Sequence, residues 1–181
     1  MFTTPFAFMT APAGGGDPDA AAYLAAVVAA GGTVTPTIIT ATNTLFTDLK
    51  TAGLYTNIKV MYPMVGGTTG SVAVEGKQPV TRNITWVGDI TADSSGVVPP
   101  PVGDGYGDIP LNPSVDYSGY VNSNHIAYYS LTSDASGGSW AWDVGVGYAN
   151  TGIPIYGLIL RRTTDSFTYD SGNYPNGRLG T

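Results

Sequence analysis

The first third of the chain carries apolar residues at helical spacing, bounded by clear start and stop signals. Asp17 followed by Pro18 predicts a helix start, since an acidic N-cap and a proline at the first helical position both suit a helix N-terminus. The alanine-rich segment that follows stops at Gly31. Tyr23 and Val27 share one face of it. The pattern predicts a small-sided helix that can pack closely against a neighbour.

A second predicted helix begins after Thr35, again with a proline at its first position, and ends at Gly53. A third, shorter helix is predicted from Tyr55 to Tyr62. Helices of this size bury too little surface to be stable alone below about 50 residues, so they need a β domain or copies of themselves to pack against. The apolar positions of the second helix share one face: Ile38, Ile39, Thr42, Leu45, Phe46, Leu49 and Ala52.

After Gly70 the pattern changes to short runs of β-branched and aromatic residues separated by turn residues. Such runs are typical of strands in an antiparallel sandwich. The Pro- and Gly-rich stretch from Ser94 to Pro113 predicts a long loop. We therefore expect an α+β protein, a short N-terminal helical block followed by an antiparallel β-sandwich. Strands are predicted at 71–75, 83–90, 125–132, 139–148, 156–162 and 166–170.

These patterns divide the chain into an extended N-terminal docking arm (1–16), a helical assembly block (17–64) and a β-sandwich domain (65–181). The arm lacks the basic segment and the uninterrupted apolar run of a signal peptide. Phe2, Phe6 and Phe8 would serve it as anchors in a partner's grooves, and the alternative is a tail without a partner. Both interpretations remain open at this point.

Composition narrows the function classes. Charged residues make up 11% of the chain, far below the roughly 25% of average soluble domains, which suits a life inside an assembly or outside the cell. The net charge is −6 and the basic residues are scattered, which argues against nucleic acid as a partner. No apolar run is long enough to predict a membrane span. The absence of cysteine excludes disulfides, thiolate metal sites and cysteine nucleophiles.

No constellation of residues indicates catalysis or metal binding. His125 is the single histidine, so a histidine-based metal site is excluded and no catalytic partner is evident. Glycoside hydrolysis needs two carboxylates, and closely spaced glutamates are missing because Glu75 is the only one. Five aspartates could offer calcium ligands in a loop, but the D-G-Y-G-D sequence favours a turn built by Asp and Gly: Asp89, Asp93, Asp104, Asp108 and Asp116. We therefore expect no catalytic residue, no metal and no other cofactor.

Several aromatic side chains in the predicted β region could stack on sugar rings. Trp86, Tyr117 and Tyr120 are the candidate glycan-binding residues. Trp140 and Trp142 alternate correctly for one buried face, so they are assigned to the core instead.

The helical block has a recurrent form. It reads D-P-D-A at 17–20, Y-L at 23–24, D-L-K at 48–50, A-G-L-Y at 52–55 and I-K-V-M-Y-P at 58–63. In these motifs the chain resembles a group of tailed-bacteriophage virion proteins, the structural, fibre or head-fibre proteins. In that group the block precedes a concanavalin A-like (lectin/glucanase-type) β-sandwich. Fragments at 115–117, 124–129 and 143–145 resemble the beginning of that sandwich.

The resemblance implies a jelly-roll or concanavalin A-like sandwich and a non-enzymatic fibre, head-fibre or decoration protein located in the virion. It also implies a homotrimer, an arm that docks on capsid, portal, neck or tail proteins, and a host-surface glycan as a further partner. Such a sandwich needs more strands than the remaining residues comfortably supply. It is therefore minimal, completed by neighbouring subunits, or part of a longer product. The alternative function is a secreted or virion carbohydrate-binding, lectin-like module.

Overall fold

The computed structural model describes residues 16–98, 105–111, 116, 127 and 129, together with the backbone of strands at 144–147, 154–159 and 168–171. The chain divides into two compact units, Met1–Ser118 and Gly119–Thr181. The described elements are helices and small antiparallel sheets, so the fold is of the α+β kind. The predicted boundary between residues 64 and 65 falls inside the first unit.

The two longer helices begin and end where the sequence predicts. Helix α1 spans Pro18–Ala29 and helix α2 spans Pro36–Thr51. The Asp17 carboxylate caps α1 by accepting the amide hydrogens of Asp19 and Ala20, and the Thr35 hydroxyl caps α2. The glycines that follow the two helices have φ values of 83° and 70°, which suit a helix stop.

The core of the first unit lies between the two helices and the segment that follows them. Tyr23 and Val27 of α1 and Phe46 of α2 are completely buried, and the Tyr23 and Phe46 rings stack with centroids 6.0 Å apart. Val74 belongs to the same cluster. A buried side chain of this size contributes about 1.5–3 kcal/mol. The helical block is therefore stabilised by residues that the sequence assigned to the β domain.

The predicted helix from Tyr55 to Tyr62 is wrong. This segment is a turn followed by extended chain, because groups distant in sequence take its backbone hydrogen bonds. The Lys77 ammonium donates to the carbonyls of Tyr55 and Ile58, at 2.7 and 2.6 Å. The Met61 amide donates to the Glu75 carboxylate, and the Met61 carbonyl accepts a hydrogen bond from the Gly76 amide. The Ile58 amide still donates to the Leu54 carbonyl in the turn, but beyond it the bonds to distant residues replace the i to i−4 bonds of a helix.

The predicted strand at 71–75 is also wrong, since a short helix α3, Thr69–Val72, begins just before it. The hydroxyls of Thr68 and Ser71 form a reciprocal capping box, which favours a helical turn over a strand. This turn lies close to the end of α1. A Cβ added at Gly70 would lie 2.7 Å from the Ala30 carbonyl oxygen, so that position requires glycine.

The remaining strands of the first unit form two short antiparallel ladders. Strand β1 (Thr85–Val87) pairs with β4 (Tyr106–Asp108), and β2 (Thr91–Asp93) pairs with β3 (Gly96–Val98). The single strand predicted at 83–90 is therefore shorter, because the chain turns at Gly88, where φ is 80°. The loop predicted from Ser94 to Pro113 was wrong in part, because it contains β3 and β4.

The second unit contains a described three-stranded antiparallel sheet. Its strands are β5 (Val144–Gly147), β6 (Pro154–Ile159) and β7 (Thr168–Ser171), in that order, with a register irregularity between Val146 and Gly147. They fall within or overlap the strands predicted at 139–148, 156–162 and 166–170. Apart from Ala127 and Tyr129, the strand predicted at 125–132 lies outside the described residues. Among the described helices, none has the length and apolarity needed to cross a membrane.

Candidate functional site

An ion cluster joins the start of α1 to the end of α2. The Lys50 ammonium lies 2.7 Å from the Asp17 carboxylate and 2.6 Å from that of Asp19. Burial alone would raise the pKa of Asp17, but the Lys50 ammonium and the capped amides outweigh burial and lower it. The same two carboxylates raise the pKa of Lys50. These charges are therefore engaged in holding the helices together.

The Tyr55 ring lies between two lysines. The Lys50 ammonium is 4.9 Å from its centroid and that of Lys77 is 4.7 Å away, both within cation–π range. Burial lowers the pKa of Lys77, although the Glu75 charge nearby acts in the opposite direction. Because the Lys77 ammonium already donates to two backbone carbonyls, it serves to fold the chain at this point.

Glu75, the single glutamate, is completely buried. Its carboxylate accepts hydrogen bonds from the backbone amides of Met61 (2.7 Å), Lys77 (2.9 Å) and Gln78. A carboxylate whose oxygens are occupied by the protein backbone holds two loops together and is not presented to a substrate. The geometry is that of a structural clamp.

The described aspartates do not gather into a metal site. No group of three or more potential ligands that could hold a metal occurs within the residues that the structure describes. Asp93 accepts the Ser95 amide at 2.7 Å in a local turn, and Asp116 pairs with Arg82 at 2.6 Å. Of the five aspartates considered as calcium ligands, Asp104 lies outside the described residues.

The structure describes one of the three candidate glycan-binding residues. Trp86 is half-buried, its indole N–H donates to the Thr69 carbonyl at 2.8 Å, and its ring covers Gly107 on the paired strand. Its donor is thus already satisfied. Tyr117 and Tyr120 lie outside the described residues, as do the predicted docking residues Phe2, Phe6 and Phe8.

An exposed aromatic that the sequence analysis did not select lies on the opposite face of this ladder. Tyr106 is 59% exposed and is paired directly with Val87, which is also exposed. Side chains paired across strands lie on the same face, so the two form one small apolar patch. Tyr106 could have been predicted as exposed only if β4 had been predicted as a strand, because its pairing with Val87 decides which face it lies on.

The outer sides of α1 and α2 are exposed and carry almost no charge. From Ala20 to Thr47 the sequence contains no charged residue. Val28 on α1 is 50% exposed, and the other exposed residues of that helix after its first turn are alanines, at positions 21, 22, 25 and 29. We call the exposed side chains of α1 and α2 between residues 20 and 47 the neutral surface. Exposed helix faces in soluble domains are normally rich in charge.

The α2 part of the neutral surface is built from threonines. Their positions alternate in steps of three and four residues, so they share the face opposite Phe46. These threonines do not follow the apolar spacing that predicts a buried face, but the same helical spacing applied to threonine predicts that they share one side of α2. All five are exposed: Thr37, Thr40, Thr44 and Thr47 within the neutral surface, and Thr51 just beyond it.

An open groove of about 360 Å³ runs along this face, and we call it the threonine groove. Its polar and apolar lining comes from Ile39, Thr40, Asn43, Thr44 and Thr47, and Asp17 and Asp48 supply its carboxylates. The described residues of the groove form no catalytic constellation. Their side chains suit an uncharged chain segment that offers methyl groups and backbone hydrogen bonds.

The first described residues of the chain lie beside the groove. Asp17 donates its amide hydrogen to the Asn43 side-chain oxygen at 2.7 Å. A Cβ added at Gly16 would lie 2.8 Å from the Asn43 side-chain nitrogen. The backbone therefore passes close against α2 immediately before α1 begins.

No protein-family model, no curated protein and no solved structure matches the chain.

Proposed function

We propose that the chain is a non-enzymatic structural protein of a tailed-bacteriophage virion, a fibre, head-fibre or decoration component that self-associates as a homotrimer. The neutral surface is the observation that supports this proposal most directly. A helix that is apolar on all sides is expected to be buried, yet Val28 and the outer alanines of α1 are exposed in the single chain. Association with further copies or other virion proteins covers them.

The internal engagement of the polar groups supports the non-enzymatic part of the proposal. Glu75 is held by backbone amides and Lys77 by backbone carbonyls. Asp17 and Asp19 are paired with Lys50. Among the described residues these are the groups best placed for acid–base chemistry, and each has a structural role that explains it.

The fold proposed for the β region is a jelly-roll or concanavalin A-like sandwich, either minimal or completed by neighbouring subunits. Its support is the antiparallel order of β5, β6 and β7 together with the further strands that the sequence predicts at 125–132 and 139–148. In this arrangement the helical block attaches the protein and the β region projects from the particle.

Sedimentation of the full chain tests self-association. We expect a trimer at micromolar concentration and a shift towards monomer in Val28→Arg, because an arginine in an apolar contact would be desolvated without a partner. Val80→Arg is the matched control, since Val80 is 86% exposed and lies outside the helices. A monomeric wild-type chain, or equal effects of the two substitutions, would contradict the proposal.

Location in the virion requires a separate experiment. A cryo-electron density map of intact particles, combined with mass spectrometry of the purified particles, is expected to contain the chain at a symmetric position, with α1 against a neighbour. Absence of the chain from purified particles would exclude the virion assignment and leave the self-association result standing.

A second candidate function is carbohydrate binding, which the exposed patch of Tyr106 and Val87 favours. An exposed tyrosine ring can stack on a sugar ring while its hydroxyl remains hydrated. We expect any glycan detected on an array to be lost in Tyr106→Ala and retained in Thr91→Ala, an exposed position on the other ladder. An array without binding would remove this candidate.

A further inference from the structure

We propose that the threonine groove binds residues 1–15 of the same chain. This inference concerns what occupies the outer face of α2 and does not depend on the virion assignment. It rests on where the chain enters the structure, on the composition of the segment and on the character of the groove.

The entry point places the segment at the groove from the start. The Asn43 side chain lines the groove and accepts the Asp17 amide, and its nitrogen is the nearest atom to a Cβ built at Gly16. Residues 14–16 are all glycine, which permits a sharp reversal of the chain at this point. A segment that leaves here can turn along α2 without strain.

Length imposes no obstacle. The groove lining runs from Ile39 to Asp48, which corresponds to roughly 14 Å of helix. Fifteen residues in extended form span up to about 50 Å, so the phenylalanines at positions 6 and 8 can reach the groove from Gly16.

The composition of the segment matches its proposed site. Residues 1–15 contain no charged side chain, and most of them are phenylalanine, threonine, proline or alanine. Between the carboxylates that flank it, the lining of Ile39 and threonines is uncharged. Bringing the two together desolvates no unpaired charge and covers methyl groups with aromatic rings.

The same chain is favoured over a second copy as the source of the segment. Because residues 1–15 are joined covalently to Gly16, they have a millimolar effective concentration next to α2, far above the concentration of other copies in solution. Exchange between copies would have to overcome this advantage. The two sources give different products in the following test.

The chain contains no cysteine, so a pair of introduced cysteines reports contact without background. In the full-length variant Thr10→Cys/Thr44→Cys, we expect a disulfide within one chain under mild oxidation. The control is Thr10→Cys/Ala22→Cys, because Ala22 is exposed on α1, six residues after Gly16, and does not line the groove. We expect the Thr44 pair to close roughly tenfold faster than the Ala22 pair, as held and merely tethered segments should differ.

Equal closure rates for the two pairs would overturn the proposal, since a free tether samples both positions alike. Disulfide-linked dimers as the main product would also overturn it, because the groove would then be filled by another copy. Both variants retain the phenylalanines, so loss of an anchor cannot explain either result.

A proteolysis experiment tests the same contact without cysteines. Thr44→Arg fills the groove, and Ala22→Arg adds the same charge on α1. We expect chymotrypsin to cleave after Phe6 and Phe8 several times faster in Thr44→Arg than in Ala22→Arg or the wild type, with matching thermal melts. Unchanged cleavage in a folded Thr44→Arg protein would contradict binding in the groove.

Discussion

At the scale of single residues, most of the described polar side chains of the first unit form hydrogen bonds with the backbone. Glu75 is the clearest case, because a glutamate is rarely buried completely and here its oxygens accept amides from two separate loops. The sequence indicated that Glu75 lacks a second carboxylate for hydrolysis, but not what it does. Its partner Met61 is 14 positions away, and no local pattern encodes that pairing.

Glu75→Gln tests this structural role. Glutamine keeps the shape but replaces one accepting oxygen with a donor, so at least one of the amides of Met61, Lys77 and Gln78 is left without its bond. We expect a loss of about 1–3 kcal/mol in the free energy of unfolding, measured by urea denaturation. Asp93→Asn is the control, since Asp93 is exposed, and we expect its cost to stay within about 0.5 kcal/mol.

The buried hydroxyl of Tyr23 leads us to expect that the protein loses stability at alkaline pH. Its hydroxyl is buried beside the Val65 backbone, and burial raises its pKa to about 12. A raised pKa means that its contribution is present below pH 10 and is lost as the pH rises towards 12. At pH 11 the loss amounts to about 1.4 kcal/mol. Tyr23→Phe should escape this part of the loss, so thermal melts of the two proteins should diverge above pH 10.

At the scale of elements, structure set by local signals was predictable from the sequence, and structure set by distant contacts was not. The caps and stops of α1 and α2 were predictable because Asp17, Thr35 and their prolines act within one helical turn. The segment from Tyr55 to Tyr62 was not, since Lys77 and Glu75 override its local preference from 14 to 22 residues away. The threonines that line the threonine groove follow helical spacing, but helical faces are usually identified from apolar residues and not from threonine.

The junction of α1 and α2 gives a prediction that separates capping from ion pairing. Asparagine caps helices as well as aspartate, so Asp17→Asn should remove only the ion pair with Lys50, which is a small loss of stability because the Lys50 ammonium is exposed to solvent. Asp17→Ala should cost about 1 kcal/mol more, because the cap is lost as well. Urea denaturation at pH 7 measures both differences. Equal costs for the two variants would show that the cap contributes nothing.

Acid should remove the difference between Asp17→Asn and the wild type. The pKa of Asp17 is lowered from 3.8, so its ionic contribution is present above pH 4 and declines as the pH falls through the folded value. We expect the difference between the midpoint urea concentrations of the two proteins to narrow as the pH falls below 4. A difference that persists there would assign the effect of the substitution to something other than the charge.

At the scale of the whole molecule, charge is unevenly placed. The seven basic and thirteen acidic residues all lie outside the stretch from Ala20 to Thr47, and the chain carries a net charge of −6. Copies of such a chain repel one another through their charged parts, while the neutral surface offers contact without ion pairs. Composition predicted a protein of an assembly, and the exposed face of α1 is the part of the neutral surface that the proposed homotrimer would use.

This distribution predicts how self-association depends on salt. Contact through the neutral surface involves no charge, so salt would screen only the repulsion between copies and strengthen the association. Sulfate should strengthen it further, because it favours the burial of apolar groups. A contact held by Lys or Arg paired with Asp would weaken instead. Sedimentation velocity in low salt, in 0.15 M salt (a Debye length of about 8 Å) and in added sulfate distinguishes the two, with Val28→Arg as the control expected to show no gain.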